Sequence, residues 1–149
     1  MMLSMEASSS TSAALETVLL LSQARTKLVR DVDRAVNGHG LGFGDYVLLR
    51  ELRAAPDGRM RRTELAERLG VTTSNVARQL GPLGRIGVVD RESNPRDARL
   101  ALVVLTEAGA RLVDEATVSA EARAGDVVAR HWNDEERSQL ATLLAGVTR

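Results

Sequence analysis

The 149-residue chain has no cysteine, one lysine, two histidines and three aromatic residues. Without cysteine it can form no disulfide, no thiolate zinc site, no iron–sulfur cluster and no thiol switch. His39 and His131 alone are too few to build a histidine-based catalytic metal centre. The longest apolar runs, Val18–Leu21 and Leu100–Leu105, fall far short of the roughly 20 residues that a membrane helix needs. Met1–Ala14 is rich in serine and threonine and lacks a basic stretch ahead of an apolar one. It does not read as a secretory signal, so the expectation is a cytoplasmic chain with no membrane partner. Catalytic signatures are absent too: no phosphate-binding glycine loop, no Gly-x-Ser-x-Gly elbow, no His-Glu-x-x-His and no Cys–His pair. The glycine-rich run Gly40–Gly44 follows a helical segment and lacks the downstream context of a nucleotide site. The expectation is a non-enzyme without a cofactor.

What is present is an ordinary globular composition, 44% apolar and 27% charged. A chain of this size can bury about 68–70% of the surface its unfolded form exposes, so it needs no covalent or metal staple. The formal net charge is zero, but the charge is unevenly spread. Between Arg50 and Arg99 stand 11 arginines against 7 acids, while the remaining 99 residues carry 9 basic and 13 acidic side chains. A basic middle between neutral and acidic ends suits an anionic partner docked at one place.

Apolar spacing predicts a long helix over Ala13–Val36, stopped by Asn37-Gly38-His39-Gly40. A second helix covers Leu41–Ala55, with Tyr46, Leu48, Leu49 and Leu52 on its buried side. Pro56-Asp57-Gly58 is a turn, and Arg59–Arg62 fits a short edge strand. Thr63 is read as the cap of a short helix that Gly70 ends. Thr72 then caps another, in which Val76, Leu80 and Leu83 make one apolar stripe. The opposite face carries Ser74, Arg78, Gly81 and Arg85, flanked by Asn75 and Ala77. Val88–Glu92 and Leu100–Leu105 form a hairpin around the polar loop Ser93–Asp97. Thr106 caps a further helix, and Asn133-Asp134-Glu135-Glu136 opens the last, with Leu140, Leu143, Leu144 and Val147 as its inward face.

The fold class is therefore mainly α with a small β-hairpin wing. We divide the chain into a flexible tail (1–12), an N-terminal dimerisation helix (13–40), a winged helix-turn-helix (41–105) and C-terminal dimerisation helices (106–149). The outer helices carry apolar stripes that a small domain does not cover, which suggests a second copy.

Three stretches resemble the MarR family of bacterial transcriptional regulators: TELAERLGVTTSNVARQL from Thr63 to Leu80, NPRDAR from Asn94 to Arg99, and VVLTEAG from Val103 to Gly109. The resemblance implies a homodimeric, sequence-specific DNA-binding regulator, a repressor by expectation, on a pseudo-palindromic operator. One helix of each subunit would enter the major groove and each wing the adjacent minor groove. The family also admits release from DNA by a small aromatic or lipophilic effector. Residue by residue, it places Thr72, Thr73, Ser74, Asn75 and Arg78 on the groove-facing helix, Arg99 in the wing, and Asp97 as the acid that orients Arg99. Asn94 and Ala98 depart from the acidic and basic residues common at those wing positions, which implies a looser grip. Pro82 removes the N–H that would bond the Arg78 carbonyl, so a kink or local widening is expected there.

The chemistry of these residue types fits. Arginine bonds guanine O6 and N7 as a fork, and asparagine and glutamine suit adenine. Ser74, Asn75, Arg78 and Gln79 are the candidate base contacts; Thr72 and Thr73 suit phosphate. Arg99 suits a narrow minor groove, with Arg96 beside it. Arg61, Arg62 and Arg91 read as phosphate contacts or solvated charges. His39 reads as a loop residue, His131-Trp132 as packing at the dimer base, and Tyr46 and Phe43 as core rather than ligand pocket. The competing reading is a winged-helix protein–protein module that does not bind DNA, consistent with the zero net charge and the altered wing.

Overall fold

The computed structural model describes residues 2–97 and 100–148, with side chains from residue 12 on. Six helices and three strands follow in order: α1 (Met2–Asn37), α2 (Phe43–Ala54), β1 (Arg59–Arg61), α3 (Arg62–Leu69), α4 (Thr73–Arg85), β2 (Val89–Glu92), β3 (Leu102–Leu105), α5 (Glu107–Ala129) and α6 (Asp134–Val147). The chain divides into two compact units, Asp33–Ala122 and the combination of Met1–Val32 with Arg123–Arg149.

In the central unit α2 is the core helix. Leu48, Leu49 and Leu52 are fully buried and Tyr46 nearly so, as its spacing predicts. The three strands form one antiparallel sheet in the order β1-β3-β2. Met60 of β1 pairs with Val103, and Val103 also pairs with Arg91. Met60, Val89 and Val103 point into the core. Leu65 of α3, Val76 and Leu83 of α4, and Val113 and Ala116 of α5 complete it. Asp57 (φ 55°) and Gly58 (φ 64°) turn the chain from α2 into β1 in the left-handed region, which aspartate and glycine tolerate best.

Polar groups tie α2 to its neighbours. The Phe43 N–H donates to Asp33 Oδ1 at 2.7 Å, and the Tyr46 hydroxyl to Thr117 Oγ1 at 3.2 Å. His39, expected as a plain loop residue, lies 2.8 Å through Nε2 from Ser119 Oγ.

Helix α1 runs from Met2, with no proline or glycine before Gly38. Two local expectations change. Thr63 does not cap α3. The helix begins at Arg62 because Arg61, held extended by its pairing with Leu102, runs straight into it. In α6 the asparagine-led capping box forms as its sequence suggests. The inward face expected for that helix is instead exposed at Leu143, Leu144 and Val147.

In the terminal unit Val127 is buried, while Leu15, Val18, Leu19, Leu20 and Leu21 of α1 are open to solvent. His131 and Trp132 stack obliquely with ring centroids 5.6 Å apart. Among the described residues no helix is long and apolar enough to cross a membrane, and no cluster of side chains could hold a metal ion.

Candidate nucleic-acid interface

The central unit presents α4, and the local sequence explains how. Gly70 adopts the left-handed conformation (φ 64°) at the end of α3. Its N–H bonds the Glu67 carbonyl at 3.1 Å and the Val71 N–H bonds that of Ala66 at 3.0 Å. This double closure is the Schellman motif, and it reverses the chain sharply. Two residues later Thr72 is extended (ψ 153°), and its Oγ1 accepts from the Asn75 N–H at 3.2 Å. Capping satisfies one of the orphan donors of the first turn; the N–H groups of Thr73 and Ser74 have no intrahelical acceptor and suit an anion.

Burial then fixes the rotation of α4. Val76 and Leu83 are buried and Leu80 half-buried, which turns Ser74, Ala77, Arg78, Gly81 and Arg85 outward. Arg78 is exposed, and its Nη2 donates to Asn75 Oδ1 one turn earlier. Gln79 turns the other way. It is half-buried and its Nε2 reaches Asp45 Oδ1 of α2 at 3.4 Å. Gly44 makes room for it, since a Cβ there would lie 3.0 Å from that nitrogen. Burial pushes the Asp45 carboxyl above the usual carboxylate range, and the hydrogen bond from Gln79 opposes that shift.

Pro82 lies within α4 and does not end it: the helix continues to Arg85, with Pro82 on the exposed side.

The wing loop is organised by Asn94, whose Oδ1 accepts from the Arg96 N–H at 2.9 Å, and by the Asp97 carbonyl, which accepts from the Leu100 N–H at 3.0 Å. Arg96 is exposed and Asp97 half-buried. Arg99 and Ala98 lie outside the described residues. At the wing's base the Arg59–Glu92 ion pair, 2.6 Å, links the two strands that flank β3. Thr106 Oγ1 donates to the Gly87 carbonyl at 2.7 Å and accepts from the Gly109 N–H at 3.0 Å. The same turn explains Gly109, where a Cβ would sit 2.1 Å from the Val88 carbonyl oxygen.

The ion pairs sort the arginines. Arg53 is engaged by Asp114, Arg59 by Glu92, and Arg68 by Glu64 and Glu51. Among the described residues of the central unit Arg50, Arg61, Arg62, Arg78, Arg85, Arg91 and Arg96 are exposed and have no carboxylate partner. Arg50 lies on α2; the other six lie on β1, at the start of α3, along α4 and on the hairpin. Between α4 and the strands of the hairpin a cavity of about 490 Å³ is lined by Ala77, Leu80, Gly81 and Gly84 on one side and Val89, Leu102 and Val103 on the other, with Arg62 and Arg91 among its polar lining residues.

Of the residues singled out from sequence, Thr72, Thr73, Ser74, Asn75 and Arg78 stand together on the first two turns of α4, and Gln79 is directed to α2. Sequence reasoning missed the Asn75–Arg78 and Gln79–Asp45 bonds. The three-residue spacing of the first was visible in the sequence; nothing in it pairs positions 45 and 79.

Comparison with known proteins agrees with this geometry. The MarR family model matches residues 44–100. The HTH-type transcriptional repressor YetL of Bacillus subtilis is 30% identical over 132 residues, covering 88% of this chain and 78% of the repressor. Sco3205, a MarR family regulator of Streptomyces coelicolor solved in complex with DNA, superposes with a TM-score of 0.79 at 27% identity, over 90% of this chain and 86% of its own. CouR of Rhodococcus jostii, solved bound to p-coumaroyl-CoA, gives 0.74 at 26% identity over 87% and 89%. With sequence motifs, fold and relatives in agreement, the chain belongs to the MarR family of transcriptional regulators, which are DNA-binding regulators and not enzymes.

Proposed function

We propose that two copies of the chain bind a pseudo-palindromic operator in the cytoplasm and repress transcription from it. The observation that carries this reading is the set of exposed arginines without carboxylate partners around α4 and the hairpin, in a chain whose net charge is zero. Of the other described arginines in that unit, Arg53, Arg59, Arg68 and Arg111 are paired with acids while Arg50 on α2 is not, so most of the unpaired positive charge collects around α4 and the hairpin, where a phosphate backbone would lie. Arg78 and Ser74 face the bases of the major groove, Thr72 and Thr73 its phosphates, and Arg96 and Arg99 the flanking minor groove, with Asp97 orienting Arg99. Two-fold symmetry sets the two recognition helices one turn of the duplex apart, about 34–36 Å.

Dimerisation is supported by the exposed apolar side chains of the terminal unit: Leu15, Val18 and Leu19 on α1, and Leu143, Leu144 and Val147 on α6, with Leu143 and Val147 at 72% and 80% exposure. Leaving such stripes in water is unfavourable by roughly 25 cal/mol per Å². Release by a small aromatic or lipophilic effector is supported by the 490 Å³ cavity between α4 and the hairpin, a volume within the range of small-molecule sites. Its walls include the recognition helix itself, so a ligand that moves them moves the base-reading side chains.

The test is sedimentation of the purified chain together with selection of duplexes from fragmented genomic DNA. A dimer that enriches a two-fold symmetric site, with affinity falling steeply as salt rises, is expected. A stable monomer, or failure to retain any fragment at low salt, would replace this reading with that of a protein–protein module.

A further inference from the structure

We infer that Asn75 reads no base and serves instead as a positioning residue that aims the Arg78 fork. The inference rests on the DNA-binding reading above and narrows it. A free arginine on a helix surface carries rotamer entropy that docking must remove. Here the removal is partly done in advance, because Arg78 Nη2 donates to Asn75 Oδ1 across one turn of α4. Arginine has no acceptor, so the amide oxygen, and not its nitrogen, faces the guanidinium.

Asn75 is itself well held. Its backbone N–H is bound by Thr72 Oγ1 at 3.2 Å and the residue is half-buried. An asparagine that reads adenine must accept from N6 through Oδ1 while donating to N7 through Nδ2. Oδ1 accepts from Arg78 and keeps one further lone pair, so an in-plane adenine pair would have to form around the guanidinium and compete with the Arg78 bond. The guanidinium, by contrast, has five N–H groups and keeps the rest of its fork for guanine O6 and N7. The second amide of the helix, Gln79, is directed to Asp45. Of the side chains on the first two turns of α4 suited to two-point base contact, Arg78 is the exposed one, with Arg85 a further two turns along at the end of the helix.

The experiment compares the wild-type chain with Asn75→Ala, Asn75→Asp, Arg78→Ala and the Asn75→Ala/Arg78→Ala double variant. The probes are the duplex the wild type enriches from a random-sequence library and its single-base-pair variants, with affinities read by fluorescence anisotropy at one fixed salt concentration. Circular dichroism checks that each variant is folded. Arg78→Ala is expected to erase discrimination at one G·C pair by about 5- to 150-fold. Asn75→Ala should weaken discrimination at that same pair and no other, and the double variant should discriminate no worse than Arg78→Ala alone. Asn75→Asp keeps an acceptor for the guanidinium and should retain the preference.

The inference is overturned if Asn75→Ala relaxes a different base pair, if the two losses multiply in the double variant, or if Asn75→Asp switches an adenine preference to cytosine. It is equally overturned if Asn75→Ala leaves discrimination at the Arg78 pair intact. A wild-type chain that enriches no sequence would instead remove the DNA-binding reading itself, and this inference with it.

Discussion

Replacing Gly109 with alanine adds one methyl group where the backbone leaves no space. The new Cβ would lie 2.1 Å from the Val88 carbonyl oxygen and 2.8 Å from Leu105 Cδ1, whereas real Cβ contacts are essentially never under 3.0 Å. The start of α5 and the strand-leading segment at Val88 must therefore part by about 1 Å. That oxygen also accepts the Thr106 N–H at 3.1 Å, so the shift strains the turn that joins the wing to α5. Overpacking of this kind costs about 1–3 kcal/mol, and loss of a backbone hydrogen bond about 1 kcal/mol net. Alanine returns up to about 1 kcal/mol of helix propensity. A net loss of about 2 kcal/mol remains, which in a chain of this size lowers Tm by roughly 4–8 °C. Differential scanning calorimetry at one protomer concentration, fixed because association raises apparent stability, measures it. Gly125, in the same helix, has no atom within 4 Å of a built Cβ, so Gly125→Ala should stabilise by up to about 1 kcal/mol. Equal melting of Gly109→Ala and wild type would refute the reasoning.

Thr72→Ala removes the N-cap of α4 and should destabilise by about 0.5–2 kcal/mol in urea titration, with Thr72→Ser restoring most of it. Arg61→Ala and Arg62→Ala should each weaken DNA binding alike on all sequences and make the log–log salt slope shallower by about 0.9; a sequence-dependent effect would show that they read bases. The Asp45 carboxyl is raised above its unfolded value, chiefly by burial, so its protonated form favours the native state. That contribution is complete below the unfolded value and is lost as pH rises through the native one. Asp45→Asn should therefore exceed wild type in stability most clearly near pH 7, and the gap, read from urea midpoints, should close as the pH falls toward 4; a gap that widens on acidification would contradict the assignment.

The elements were legible where their causes are local. Tyr46, Leu48, Leu49 and Leu52 are buried as their spacing predicts, Gly70 closes α3, and Thr72 and Asn133 cap the helices they precede. Each depends on residues within a few positions of one another. The errors have non-local causes. Thr63 is a sound cap by type, but pairing of Arg61 with Leu102 carries the extended chain one residue further and starts the helix at Arg62. Leu143, Leu144 and Val147 form an apolar stripe by spacing, yet among the described residues they are exposed. Periodicity reports which face is apolar, not what lies against it.

The order of helices and strands, the ends of most of them and the concentration of arginine in the middle third are written in short stretches of residues, because propensity, capping and charge are local properties. Which arginines have carboxylate partners, that Gln79 leans on Asp45 of α2, and that Gly109 must lack a side chain emerge from packing alone. Those outcomes depend on atoms brought within a few ångströms by packing from positions up to 61 residues apart in the chain, as in the Arg53–Asp114 pair.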